Sequence, residues 1–146
     1  MMNQITFPQM YDYLSDVFET VAWSDCTCAE VGQSLIGRIA YDSDPANAQY
    51  TRHLYCARDT VEAMLHALCT LENYHNTAHL LDFSPLLPYL GSYDEGCTDS
   101  LLYLLACTGD RRWLDLIQRE AARFPALSAE EYRQELLHRA EQASQS

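Results

Sequence analysis

Between Thr60 and Ala121 apolar side chains recur every three or four residues, and nowhere does the chain alternate apolar and polar residues long enough to make a strand. That spacing lines up apolar groups on one face of a helix, so the fold class is predicted to be all-α, with about seven helices. Met10, Leu14, Val17, Phe18 and Val21 form the stripe of a first helix, with Thr6 as its cap and Pro8 in its first turn. "TCAE", Thr27 to Glu30, has the form of a capping box ahead of Val31, Leu35, Ile36 and Ile39. Asp44-Pro45 is the next start signal, and Tyr50, Leu54, Ala57, Val61, Met64, Leu65, Leu68 and Leu71 keep the period after it. Residues 45–72 are either one long helix or two, divided at the internal cap Asp59-Thr60-Val61-Glu62.

Punctuation is clearest in "LYLLACTGDRRW", Leu102 to Trp113. Leu101, Leu102, Leu104 and Leu105 make a thick apolar stripe, Gly109 is a helix stop, and Asp110 caps a partner helix with Trp113, Leu114, Leu116, Ile117 and Ala121 on its inner side. Ahead of it, "AHLLDFSPLLPYL" is predicted helical, restarting at Ser84-Pro85, and "GSYDEG" is a loop. "SAEE" from Ser128 is a second capping box, and Tyr132, Leu136, Leu137 and Ala140 are the inner face of the last helix. At 146 residues the chain is expected to be a single domain spanning 1–146.

Charge narrows the function classes. The net charge is −12 and there is no lysine. Residues 1–110 carry fifteen acids against three arginines, whereas residues 111–146 carry six of each. A field of this sign opposes DNA, RNA and anionic membranes and favours a basic partner. No apolar run reaches the roughly 18 residues of a membrane span, and the N-terminal residues lack the basic and apolar regions of a secretory signal. Six cysteines without a Cys-x-x-Cys pair fit reduced thiols in a cytoplasmic protein. The charge boundary at Gly109 predicts a binding surface on its N-terminal side, with the last two helices closing the core.

Catalytic motifs are missing. There is no Gly-x-Ser-x-Gly elbow, and five glycines make no phosphate-cradling loop. His75 and His79 are four apart, with Glu72 and Asp82 three residues outside them, so on a continuous helix they share one face that could hold zinc or iron. The general-base glutamate of His-Glu-x-x-His is absent. Cys26 and Cys28 with His53 and Cys56 make a second, poorly spaced zinc set. The reading favoured is no catalytic residue, no metal and no cofactor. Two tyrosine-bearing acidic segments stand out instead: Tyr41, Asp42, Asp44 and Tyr50 in the first, and Tyr89, Tyr93, Asp94, Glu95 and Asp99 in the second. Tyrosine gives broad contact area at low entropic cost, and carboxylates around it pair with arginine or lysine.

"TVEAMLHALCT" (60–70) overlays "TDSLLYLLACT" (98–108) at an offset of 38 residues, with the apolar positions in register. With the Gly-Asp-Arg turn and the helix after it, residues 60–124 resemble HEAT-type repeats. The expected architecture is an irregular helical bundle or a short HEAT-like α-solenoid. In size, charge, repeat and lack of a catalytic kit, the chain resembles small bacterial immunity proteins, which neutralise a cognate toxin, often a basic nuclease. The resemblance implies occlusion of the toxin: Asp42, Asp44, Asp94, Glu95 and Asp99 facing its basic residues, and Tyr41 and Tyr93 packing at the centre. Other readings remain open: a phage-type inhibitor that imitates nucleic-acid charge, a metal-dependent helical enzyme built on His75 and His79, and a secretion chaperone.

Overall fold

A computed structural model describes residues 7–20, 22–47 and 57–145. The fold is all-α; among the described residues there are six α-helices and four 3₁₀ segments, and no strand. The helices are α1 (Phe7–Thr20), α2 (Asp25–Ser43), α3 (Ala57–His75), α4 (Glu95–Cys107), α5 (Leu114–Ala121) and α6 (Ala129–Gln145). The 3₁₀ segments are Pro45–Asn47, Ala78–Leu80, Ser84–Ser92 and Arg111–Trp113. No described helix is long and apolar enough to cross a membrane. Thr6, Tyr50, Leu54, and the His53 and Cys56 of the second zinc set lie outside the described residues.

Four helices run in one direction, side by side. The Cys69 thiol reaches the Ser100 carbonyl at 3.8 Å and the Tyr103 hydroxyl donates to Asn73 at 2.6 Å, so α3 and α4 advance together. Tyr132 bonds Asp99 and residues 139–140 lie against Gly109, so α6 runs parallel to α4 as well. The C-terminal end of α1 meets that of α3, where the Nε2–H of His75 donates to the Phe18 carbonyl at 2.6 Å. Between these helices α2, Ser84–Ser92 and α5 return the chain and form the second layer. Gln33 of α2 bonds both backbone groups of Asp82 at 2.9 Å, and Arg123 after α5 donates to the carbonyls of Leu90 and Gly91 at 3.1 Å. The core lies between the layers. Leu101, Leu102, Leu104 and Leu105 are all fully buried, as are Ile36, Met64, Leu65 and Leu71. Each contributes roughly 1.5–3 kcal/mol over an exposed side chain.

The repeated segments do occupy neighbouring parallel helices, α3 and α4. The first of them lacks an α-helical return, because Pro85 and Pro88 remove backbone donors and leave Ser84–Ser92 as 3₁₀ turns. A regular HEAT repeat is therefore not established. Several helix boundaries depart from expectation. Ser24, not Thr27, caps α2, and its hydroxyl accepts from the Thr27 amide at 3.3 Å. The helix runs through Asp59–Glu62 unbroken, since Thr60 and Val61 are buried in its packed face. Asp94 closes the supposed loop by capping α4, accepting from the Cys97 amide at 2.9 Å. Asp94→Ala is expected to cost about 1 kcal/mol. The midpoint of thermal unfolding should fall by about 3 °C, and an unchanged midpoint would show that α4 does not need this cap.

Candidate functional site

The two acidic segments, fifty residues apart, meet at one end of the molecule. Ser43 donates to the Ile39 carbonyl at 2.7 Å, so the Tyr93 hydroxyl is the donor in the 2.6 Å bond that joins it to Ser43. This bond ties the end of α2 to the start of α4. It also turns Tyr93 inward. The residue is 8% exposed, and burial pushes its phenol up to about 12. Asp42 is buried too, its carboxylate 3.2 Å from Arg38. The expectation that Asp42 and Tyr93 face a partner is corrected: both are struts inside the fold. Asp94 is half-buried and engaged as a cap. Asp44 accepts from the Ala46 amide at 3.0 Å and starts the 3₁₀ turn. Tyr41 is 39% exposed under the Arg38 guanidinium, and Glu95 and Asp99 are exposed.

From Asp99 the acidic face continues into a groove of about 590 Å³. Its floor is α4, with Asp99, Ser100, Tyr103 and Ala106. One wall is α3, with His66, Cys69, Thr70 and Asn73; the other is α6, with Glu131, Tyr132 and Glu135. Among the described residues three carboxylates line it and no arginine does. Most of the described arginines pair with carboxylates outside the groove: Arg112 with Asp110, Arg119 and Arg123 with Glu120, and Arg133 with Glu130, while Arg139 reaches Glu72 and, at the groove's edge, Glu135. The balanced charge of the last segment is thus mostly internal pairing, and α6 supplies two of the groove's three carboxylates. The groove's carboxylates therefore come from both sides of Gly109, Asp99 before it and Glu131 and Glu135 after it.

The groove's phenols and thiol are held in their neutral forms. Tyr132 donates to Asp99, and burial together with Asp99, Glu131 and Glu95 pushes its pKa well above the usual phenol range. Burial does the same for Tyr103. Burial, with Cys107 nearby, pushes the Cys69 thiol up to about 12, so it is no nucleophile near neutral pH.

The histidine pair does not form a metal face. The helix ends at His75, and Asn76 takes a left-handed φ of 49°, so the helical spacing to His79 is broken. His75 is used in the bond to Phe18 and stacks on Trp23, His79 is exposed on the next turn, and Glu72 points to Arg139. Cys26 is exposed while Cys28 is buried, so these two thiols do not converge. Among the described residues no group of three or more His, Cys, Asp or Glu is placed to hold a metal ion.

The i, i+4 spacings Glu95–Asp99–Tyr103 and Glu131–Glu135 were the available signal for the groove, since each aligns its side chains on one helix face. What unites them is the parallel contact of α4 with α6. No protein-family model matches the chain, and neither does any curated protein or solved structure.

Proposed function

We propose that this protein binds and neutralises a basic partner protein, in the manner of an immunity protein against a toxin. The observation that carries the reading is a run of carboxylates brought together by the fold, among the described residues. It starts at Asp44, crosses the Ser43–Tyr93 junction to Glu95 and Asp99, and ends at Glu131 and Glu135 in the groove. Such a face competes for the lysines and arginines with which a nuclease holds phosphates, and it accelerates encounter at low salt. Neutralisation requires no turnover, only occupancy of the partner's working surface. Packed parallel helices are suited to this, because α4 and α6 set their carboxylates side by side on one rigid frame.

The test is co-expression with the product of the neighbouring gene, scored for a stable complex and rescue from toxicity. Glu95→Lys with Glu131→Lys is the informative variant, because both side chains are exposed and neither serves as a side-chain cap. Association with the partner should slow at least tenfold at low salt and lose much of its salt dependence. An unchanged rate constant would remove this face as the interface. Binding to several unrelated DNA-binding proteins would instead favour a nucleic-acid imitator.

A further inference from the structure

We propose that the groove between α3, α4 and α6 is the docking site for an arginine-bearing segment of that partner, and that it selects arginine over lysine. This rests on reading the chain as a binder of a basic protein, and it adds the place and the side chain. The groove's volume of about 590 Å³ falls within the roughly 300–1,000 Å³ of pockets that enclose small ligands. Its carboxylates are of one sign: among the described residues, Asp99, Glu131 and Glu135 line it with one basic contact, Arg139 to Glu135 at 2.8 Å.

Hydrogen-bonding capacity points the same way. Tyr103 and Tyr132 use their only protons inside the fold, on Asn73 and Asp99. Their rings and remaining lone pairs, together with the carboxylates, face the groove as acceptors. His66, Asn73 and Ser100 also bring donors to the groove, but its three carboxylates repel an anion and offer a donor-rich cation charged acceptors. Guanidinium is the better match than ammonium. It is planar, carries five donors in a fork that fits a carboxylate, sheds water more readily and stacks on aromatic rings. The molecule already uses that stacking elsewhere: Arg38 lies 5.0 Å from the Tyr41 ring centre and Arg112 lies 4.8 Å from that of Trp113.

Blocked triarginine and trilysine peptides, equal in charge, provide the test with the full-length chain followed by NMR. Triarginine should bind at least fivefold more tightly, with the largest shifts at Tyr103, Tyr132 and the α6 first turn. Asp99→Asn with Glu131→Gln keeps an acceptor for Tyr132 and should weaken triarginine at least tenfold without changing the thermal midpoint. Should this pair unfold the chain, Glu131→Gln alone, on an exposed position, should still weaken triarginine at least threefold. Equal affinity for the two peptides, or shifts centred on Asp44 and Glu95, would overturn the proposal. If the natural partner binds the double variant as tightly as the unaltered chain, the groove is wrong and the neutralising role stands. If triarginine seats in the groove but no basic partner forms a complex, the reverse holds.

Discussion

Glu72→Ala should destabilise the fold by about 3 kcal/mol, measured by urea unfolding with the slope unchanged. Glu72 sits near the end of α3 with its side chain almost wholly buried. One carboxylate oxygen accepts from Arg139 of α6 and the other from the amide of Ala78, each at 2.8 Å. Its backbone carbonyl accepts from the amide of Asn76, also at 2.8 Å. A single side chain thus joins α3, the turn after it and the last helix. Removal leaves a buried amide without an acceptor, which costs roughly 1–3 kcal/mol, and deletes a charge-assisted bond worth roughly 1.5–3 kcal/mol. Arg139 keeps its 2.8 Å contact with Glu135 and a bond to Asn76, which holds the total below that of an isolated buried charge. Glu72→Gln restores an acceptor for Ala78 without the charge, so it should lose about half as much. A loss under about 1 kcal/mol for Glu72→Ala would mean that α6 is held by apolar packing alone.

Local signals in the sequence carried the parts of the fold that are decided locally. Gly109, Asp110 and Ser128 each mark a helix end where expected, because a left-handed stop and a side-chain cap need only their neighbours. "TCAE" failed because two caps compete for one helix start: Ser24 takes the Thr27 amide first and places Asp25 in the first turn, where the helix dipole favours it. The histidine pair failed because one residue, Asn76, leaves helical φ between them. The acidic segments were legible as charge and illegible as surface. Arg38 stands four residues before Asp42 on one face of α2, a pairing the spacing did offer. But nothing in the spacing of Tyr93 says that Ser43 will claim it, which depends on how the end of α2 comes to rest against the start of α4. The groove was hidden for the same reason. Its carboxylates come from two helices whose parallel contact is a tertiary fact, though each helix shows its own i, i+4 face.

Gly109→Ala should destabilise the fold by about 3 kcal/mol, and the reason joins both functions of this residue. Its φ is +67°, a conformation that charges an L side chain roughly 1–2 kcal/mol. A Cβ placed there would also stand 2.9 Å from the Ala140 amide nitrogen and 3.0 Å from the Arg139 carbonyl carbon. Those are backbone atoms of α6 and have no rotamer to yield, so α6 must move away from α4, at about 1–3 kcal/mol. The glycine therefore ends α4 and, in the same place, lets the last helix approach closely enough for Arg139 to reach Glu72 and Tyr132 to reach Asp99. Gly37→Ala supplies the contrast. Gly37 is exposed within α2, a Cβ there meets nothing within 4 Å, and the change should stabilise by about 0.5–1 kcal/mol. Opposite signs for the same chemical change would separate helix propensity from close approach. If Gly109→Ala were neutral in the same urea titration, α6 would have to slide without loss, and its register on α4 could not be what shapes the groove.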